Sequence, residues 1–354
     1  MKALVLSAGS GTRLRPLTYS MPKQLVPLAN KPVLLYCLEN LAEIGVKDVG
    51  IVVGPNGGEI RRTVGDGGRL GLNVTYVPQE AALGLAHCVL IARDFLADDD
   101  FVMYLADNVF AAGLGDAATA FHARRPDAQV VVTAVPDPAA FGVAVLDEAA
   151  RVTGLVEKPD RFVSDLAVTG AYFLTPAIHA AVRRLRPSRR GELEITDALQ
   201  LLVSDGADVR AVRYRGYWKD TGRIEDVLEC HRVLVERIVP RILGHVDEAS
   251  RLSGRVVVEP GARIIRSHIE GPAIIGANAQ VTDSYVGPYT ALGADCVLQH
   301  AGVDSSIILD RVSVRGVRDI SGSFIGRSSY IAAAAEVSRH RLVIGDDTRV
   351  EVLR

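Results

Sequence analysis

Ile275-Gly276-Ala277-Asn278-Ala279-Gln280-Val281-Thr282-Asp283-Ser284-Tyr285-Val286-Gly287-Pro288-Tyr289-Thr290-Ala291-Leu292 carries apolar residues at intervals that recur on either side of it. Val258, Ile264, Ile269, Ile275, Val281, Val286, Leu292, Leu298 and Val303 step by 6, 5, 6, 6, 5, 6, 6 and 5. The triplets 258/275/292, 264/281/298 and 269/286/303 therefore each repeat at 17. A fixed period of this length reads as one coil of a solenoid with three short faces, each sending one apolar side chain inward. Gly271, Gly276, Gly287 and Gly293 are expected at its turns. A β-sandwich with scattered strands would not hold such a period. The reading is a left-handed parallel β-helix of the hexapeptide kind over residues 252–354, with the regularity fading after Asp310.

Upstream of this repeat the pattern is different. Ala3–Ser7, Val49–Val53, Val74–Val77, Phe101–Leu105 and Val130–Val135 are short apolar runs. Helical stretches separate several of them, near Val33–Ile44, Ala86–Phe95 and Leu114–Arg124. Strand–helix alternation predicts an α/β domain with a mostly parallel sheet, whose ligands bind beyond the carboxyl ends of the strands. The expected division is a domain over 1–238, a linker over 239–251 and the β-helix.

Composition bounds the function. The chain has 354 residues, 48% hydrophobic and 23% charged, which is enough for a sizeable core. The formal net charge is −2 and aromatic residues make up 5%, so neither a basic field nor a stacking platform points to nucleic acid. Cys37, Cys88, Cys230 and Cys296 form no CxxC pair, and spacing alone does not exclude disulfides. The N-terminal apolar run is too short for a signal peptide and no run of 18 apolar residues occurs, so the expected location is cytoplasmic, with no membrane partner.

The first strand runs into Leu6-Ser7-Ala8-Gly9-Ser10-Gly11-Thr12-Arg13. Glycines there would let several N–H groups converge on a phosphate, although for the loop taken alone a plain tight turn is the better account. It is neither a Walker A loop nor a GxGxxG fingerprint. The residues beyond it are more specific: Arg13-Leu14-Arg15-Pro16-Leu17-Thr18, then Pro22-Lys23-Gln24-Leu25-Val26-Pro27 and Lys31-Pro32. Further on come Gln79, Gly84-Leu85-Ala86, Leu105-Ala106-Asp107-Asn108, Phe141-Gly142-Val143, Val156-Glu157-Lys158-Pro159 and Val168-Thr169-Gly170. The series ends with Gly191-Glu192-Leu193-Glu194-Ile195-Thr196-Asp197 and Trp218-Lys219-Asp220-Thr221-Gly222.

In this order the motifs resemble those of the sugar-1-phosphate nucleotidylyltransferases. With the β-helix, the chain is most similar to the long form of the glucose-1-phosphate thymidylyltransferases of deoxysugar pathways. The resemblance implies a Rossmann-like nucleotidyltransferase domain and a reaction of dTTP with glucose 1-phosphate that releases pyrophosphate. It implies catalytic roles for Arg13, Lys23 and Lys158, and nucleotide binding by Ala8, Gly9, Ser10, Gly11, Thr12, Gln79 and Gly84. Asn108, Gly142, Glu157 and Val168 would face the sugar, Asp107 and Asp220 would bind Mg²⁺, and the protein would be a homo-oligomer. Ala8, His87, Ala106 and Phe141 depart from the motifs at positions where relatives carry glycine, glutamine, glycine and tyrosine.

The implied nucleophile is a phosphate oxygen whose second pKa lies near 6, so no general base is required. Charge neutralisation and in-line positioning remain for the protein to supply. Three alternatives stay open on the residues: a uridylyl- or guanylyltransferase, since Gln79 can pair with either pyrimidine; a bifunctional acyltransferase; and a non-catalytic relative. At 17 residues per coil, 252–354 holds roughly six coils, few for an acyltransferase, and His300 has no recognisable partner set. Asp99, Asp100 and the run Arg183, Arg184, Arg186, Arg189 and Arg190 read as solvated, with Arg190 a candidate support for the site. His122, His179 and His231 read as surface or satisfied residues.

Overall fold

A computed structural model describes residues 1–55 and 57–333; the expected end of the β-helix, 334–354, lies outside the described residues. The strands of the first part are β1 (Lys2–Ser7), β2 (Pro27–Leu28), β3 (Lys31–Pro32), β4 (Asp48–Val53), β5 (Asn73–Pro78), β6 (Phe101–Leu105), β7 (Asn108–Phe110), β8 (Ala128–Ala134), β9 (Gly142–Leu146), β10 (Val152–Glu157), β11 (Leu166–Leu174), β12 (Val209–Arg213) and β13 (Trp218–Asp220). The main sheet runs β10-β9-β11-β6-β1-β4-β5, with β8 and β12 joined beside β11. β6, β1, β4 and β5 are mutually parallel, β11 enters antiparallel, and only β10 shares its direction. β1 is buried on both faces from Ala3 to Ser7, which is why it reads as a continuous apolar run rather than an alternating one.

The helix expected over Ala86–Phe95 is two, Leu85–Ile91 and Arg93–Leu96, broken at Ala92. Asp99 and Asp100 are ion-paired rather than merely solvated: Asp99 meets Lys2 at 2.9 Å, and Asp100 receives Arg125 Nε and Nη2 at 2.7 and 2.9 Å. All four cysteines are buried free thiols.

The compact units do not divide at 238. One comprises Met1–Ser10, Met21–Leu25 and Val33–Asp220; the other comprises Gly11–Ser20, Val26–Pro32 and everything from Thr221 onward. Within the second unit the β2–β3 hairpin is fastened to the solenoid. Asn30 Nδ2 donates to the Leu292 carbonyl at 2.7 Å, and the Ala29 N–H donates to His231 Nδ1 at 3.1 Å. His231 is thus no surface residue: burial pushes its pKa down to about 4, which keeps Nδ1 an acceptor at neutral pH. Val235 from the helix Ile224–Val235 packs with Val257, Ile274 and Ala291, and Ala29, Ile238 and Tyr289 close over them.

Among the described residues the solenoid consists of three all-parallel sheets of six, six and five strands. It starts at Arg241, so the expected linker 239–251 is its first coil. The register stacks Val258, Ile275 and Leu292 in one column, Ile264, Val281 and Leu298 in a second, and Ile269, Val286 and Val303 in the third. All nine are buried. The repeat continues past Asp310: Leu292 stacks on Ile308 after 16 residues, and Ile308 on Ile325 after 17. The four glycines expected at the turns do lie at corners between strands, but none of them takes a left-handed backbone. Left-handed backbone positions at the turns are filled by other glycines, Gly254, Gly261, Gly316 and Gly322, and by non-glycine residues such as Arg266, Asn278, Asp283, Asp295 and His300. Gly276 is needed because coils touch there: a Cβ would collide with the Gly293 carbonyl oxygen.

Candidate active site

The carboxyl ends of β1, β5 and β6 open into a cavity of about 200 Å³ lined by Ala8, Gly9, Lys23, Gln79, Gly84 and Asp107, among others. This is the placement that a parallel sheet dictates. Gly9 and Ser10 are exposed, and among the described residues their amide N–H groups have no backbone partner. Gly9 also makes room for the lysine, since a Cβ there would lie 2.9 Å from Lys23 Cε.

Lys23 and Asp107 form an ion pair, their side chains only 17% and 12% exposed. Burial alone would raise the Asp107 pKa. The ammonium charge and hydrogen bond of Lys23 outweigh it, aided by the Asn108 amide at 3.1 Å, and the carboxyl lies below its ordinary range. Asn108 is held in turn: its Oδ1 accepts the Trp218 indole N–H at 2.8 Å, which also reaches the Thr169 carbonyl at 2.9 Å. β13 pairs antiparallel with β7 and sets Asp220 opposite Asn108, one residue from Asp107. Gly170, at φ +80°, lets β11 pass close, because a Cβ would meet Leu105 and Asn108 at 2.9–3.2 Å.

Gln79 is buried, with Nε2 3.0 Å from His87 Nδ1. His87, a departure from the motif, therefore orients the amide expected to read the base, and the same amide also hydrogen-bonds the Cys88 thiol.

A second group surrounds Glu157. Thr196 Oγ1 donates to Glu157 Oε2 at 2.7 Å, and Arg190 Nη2 donates to Glu157 Oε1 at 3.2 Å and Glu194 Oε1 at 2.8 Å. Gly142 completes it, since a Cβ would approach the Glu157 carboxylate and Thr196 hydroxyl to 3.0 Å. Arg190 is thus set apart from the rest of the arginine run. Lys158 donates its N–H to the Phe141 carbonyl at 3.0 Å, and its half-exposed ammonium lies 3.9 Å from Glu157. Phe141 packs edge-on against Trp218 at 5.5 Å. The Val168 side chain belongs to the sheet core, leaving only its backbone to face a ligand. Gly11, Thr12 and Arg13 belong to the other compact unit. There Gly11, at φ +66°, starts the turn Thr12–Leu14, and the Arg13 guanidinium lies against Gly222.

Sequence reading missed Gln24, which is buried beside Lys23 in the cavity wall, and the pairing of Thr196 and Glu194 with the Glu157 group. The GELEITD motif contains both of the latter residues, but its spacing does not reveal which carboxylate they serve.

The family model for the Nucleotidyl transferase family matches residues 2–237. A glucose-1-phosphate thymidylyltransferase of Streptomyces griseus is 53% identical over 353 residues, 99% of each chain. One of Streptomyces antibioticus is 52% identical over 354 residues, again 99% of each. Among solved structures, a UDP-glucose pyrophosphorylase complexed with UDP-glucose superposes with a TM-score of 0.61 at 25% identity, covering 67% of this chain and 99% of that one.

Proposed function

The chain belongs to the nucleotidyl transferase family, and we infer that it is a glucose-1-phosphate thymidylyltransferase, converting dTTP and glucose 1-phosphate to dTDP-glucose and pyrophosphate. The observation that carries this reading is the 53% identity to such an enzyme across 99% of both chains. The cavity at the strand ends, with its buried cation, carboxylate and amide, is the chemistry the reaction needs.

A phosphate oxygen of the sugar attacks the α-phosphorus, the new P–O bond forms, and the bond to the β-phosphate oxygen breaks. The proton inventory does not change at the attacking oxygen, which is mostly ionised at neutral pH. Gly9 and Ser10 offer N–H groups to the triphosphate, and Lys23 offers an ammonium at the same mouth. Arg13 follows the loop directly and supplies charge to the leaving pyrophosphate. Gln79, fixed by His87, pairs with the pyrimidine. Glu157, held from both sides by Thr196 and Arg190, accepts hydrogen bonds from sugar hydroxyls, and Lys158 receives the sugar phosphate.

The residues fit Mg²⁺ by donor chemistry: Asp107 and Asp220 offer hard carboxylate oxygens at adjoining register positions, and phosphate oxygens and waters would fill the remaining sites. Bound there, the ion would neutralise phosphate charge. Asp220→Asn should accordingly raise the Mg²⁺ concentration needed for half-maximal rate and lower kcat; unchanged values for both would remove Asp220 from the metal.

Pyrophosphate release measured across dTTP, UTP, GTP and ATP with several sugar 1-phosphates tests the whole reading. No turnover with any pair would overturn it, and a tenfold preference for UTP would make the protein a uridylyltransferase. No described helix is long and apolar enough to cross a membrane.

A further inference from the structure

A cleft of about 540 Å³, larger than the cavity at the strand ends, lies on the solenoid, far along the chain from every residue given a role above. Its wall is a ladder of outward side chains. Register places Arg251, His268, Tyr285 and Gly302 at one position of four successive coils. At ~4.8 Å per coil this ladder runs about 14 Å. It ends at Gly302, so beyond the Tyr285 ring the wall drops to backbone, and Arg318 rises from the next coil. A Cβ on Gly302 would lie 3.6 Å from Arg318 Cα, which shows how closely that arginine follows.

The charges in the cleft are unequally matched. Arg266 is fully engaged, its Nε and Nη2 each 2.7 Å from the Asp283 carboxylate. Arg251 and Arg318 are exposed, and among the described residues neither guanidinium has an ion pair or a hydrogen bond. Asp319 is the one lining carboxylate left to set against these two cations. Between them stands an aromatic ring held in place. Tyr285 is 37% exposed, its hydroxyl donates to Glu270 at 2.9 Å, and the His268 ring meets it edge-on at 5.6 Å. A fixed ring with an open face stacks a planar base, and an unpaired guanidinium takes phosphate oxygens in pairs. Two coil steps, ~10 Å, separate the ring from the backbone of Arg318, a span that a nucleoside diphosphate and the long arginine side chain bridge together.

We propose that this cleft is a binding site for a nucleoside phosphate, with the base on Tyr285 and the phosphates on Arg318. The choice of dTDP as probe rests on the reading of the enzyme as a thymidylyltransferase, so turnover is assayed in parallel. Equilibrium dialysis of dTDP with the full chain should give two molecules bound per chain. Arg318→Ala and Tyr285→Ala should each weaken one of the two at least tenfold, leave the other unchanged, and leave kcat without added dTDP unchanged. Neither substitution removes a buried contact, so both chains should fold. Pyrophosphate should compete for the second site at least tenfold less well than dTDP. A stoichiometry of one in the wild type, or a second site indifferent to both substitutions, would overturn the proposal. Equal competition by pyrophosphate would do so too, since it would mark a site for phosphate alone. Loss of turnover alongside an intact second site would count against the catalytic reading and not against this one.

Discussion

Removing the cation of the Lys23–Asp107 pair should invert the way the first compact unit responds to acid. Lys23→Met keeps the length of the side chain and leaves the Asp107 carboxylate buried without its ammonium. Breaking a buried pair from one side costs about 3–5 kcal/mol, because the remaining charge is uncompensated. Asp107→Asn in the same chain removes that charge, so the double variant should recover most of the loss. The signs are set by the direction of the pKa. In the wild type Lys23 holds the Asp107 carboxyl below its ordinary value, so the pair contributes fully above the unfolded pKa, about 3.9, and is lost as pH falls through the folded one. In Lys23→Met burial, the largest influence, is opposed only by the backbone and Asn108 hydrogen bonds, and the folded pKa rises. The penalty is then greatest above that raised value and shrinks as pH falls through it. The variant should therefore gain stability between pH 7 and pH 5, where the wild type gains nothing from this group. Trp218 is the one tryptophan in the chain and its indole is bonded to Asn108, so its fluorescence reports urea unfolding at this spot. A double variant destabilised by the sum of the single losses, or no gain on acidification in Lys23→Met, would refute the account.

Arg13→Ala should lower kcat rather than raise the KM for dTTP, by about 10²–10³, the range for losing a donor to developing charge; a pure KM effect would make Arg13 a ground-state binder. Ile275→Asp should cost several kcal/mol by burying a carboxylate in a solenoid column, whereas Ile275→Val should cost about 0.5–1.5 kcal/mol. Equal losses for the two in chemical denaturation would contradict its inward position. A chain ended at Arg237 should lose turnover, because the hairpin loses the Leu292 carbonyl and Val235 loses Val257, Ile274 and Ala291. Retention of the wild-type kcat by that chain would show that the loops hold without the solenoid.

The solenoid was legible wherever its coils kept one length, because each coil must offer one apolar side chain per face. The repeat was lost to view where a residue is missing, at the step of five from Val303 to Ile308. The first coil was hidden for a similar reason: the residues in register with the columns, Ile242, Val246 and Leu252, stand 4 and 6 apart instead of 6 and 5, and Ile242 is exposed. In the site, Lys23, Gln79, Asp107 and Glu157 were recognisable one motif at a time. Their partnerships were not, since Lys23 meets a carboxylate 84 residues away and Glu157 a hydroxyl 39 away. The grouping of 11–20 and 26–32 with the C-terminal part was equally invisible, because local periodicity says nothing about which distant surface a short hairpin covers.

That grouping sets a timetable for biosynthesis. Asn30 leaves the ribosome 262 residues ahead of the carbonyl it must bond. At ~5–20 residues per second, this is a wait of roughly 13–50 s. Throughout it the hairpin lacks its final seat, although Lys23 and the strand ends around it are already made. The nascent chain should therefore hold a finished sheet and an unseated hairpin at once, and the hairpin should lock only when the fourth coil has been synthesised.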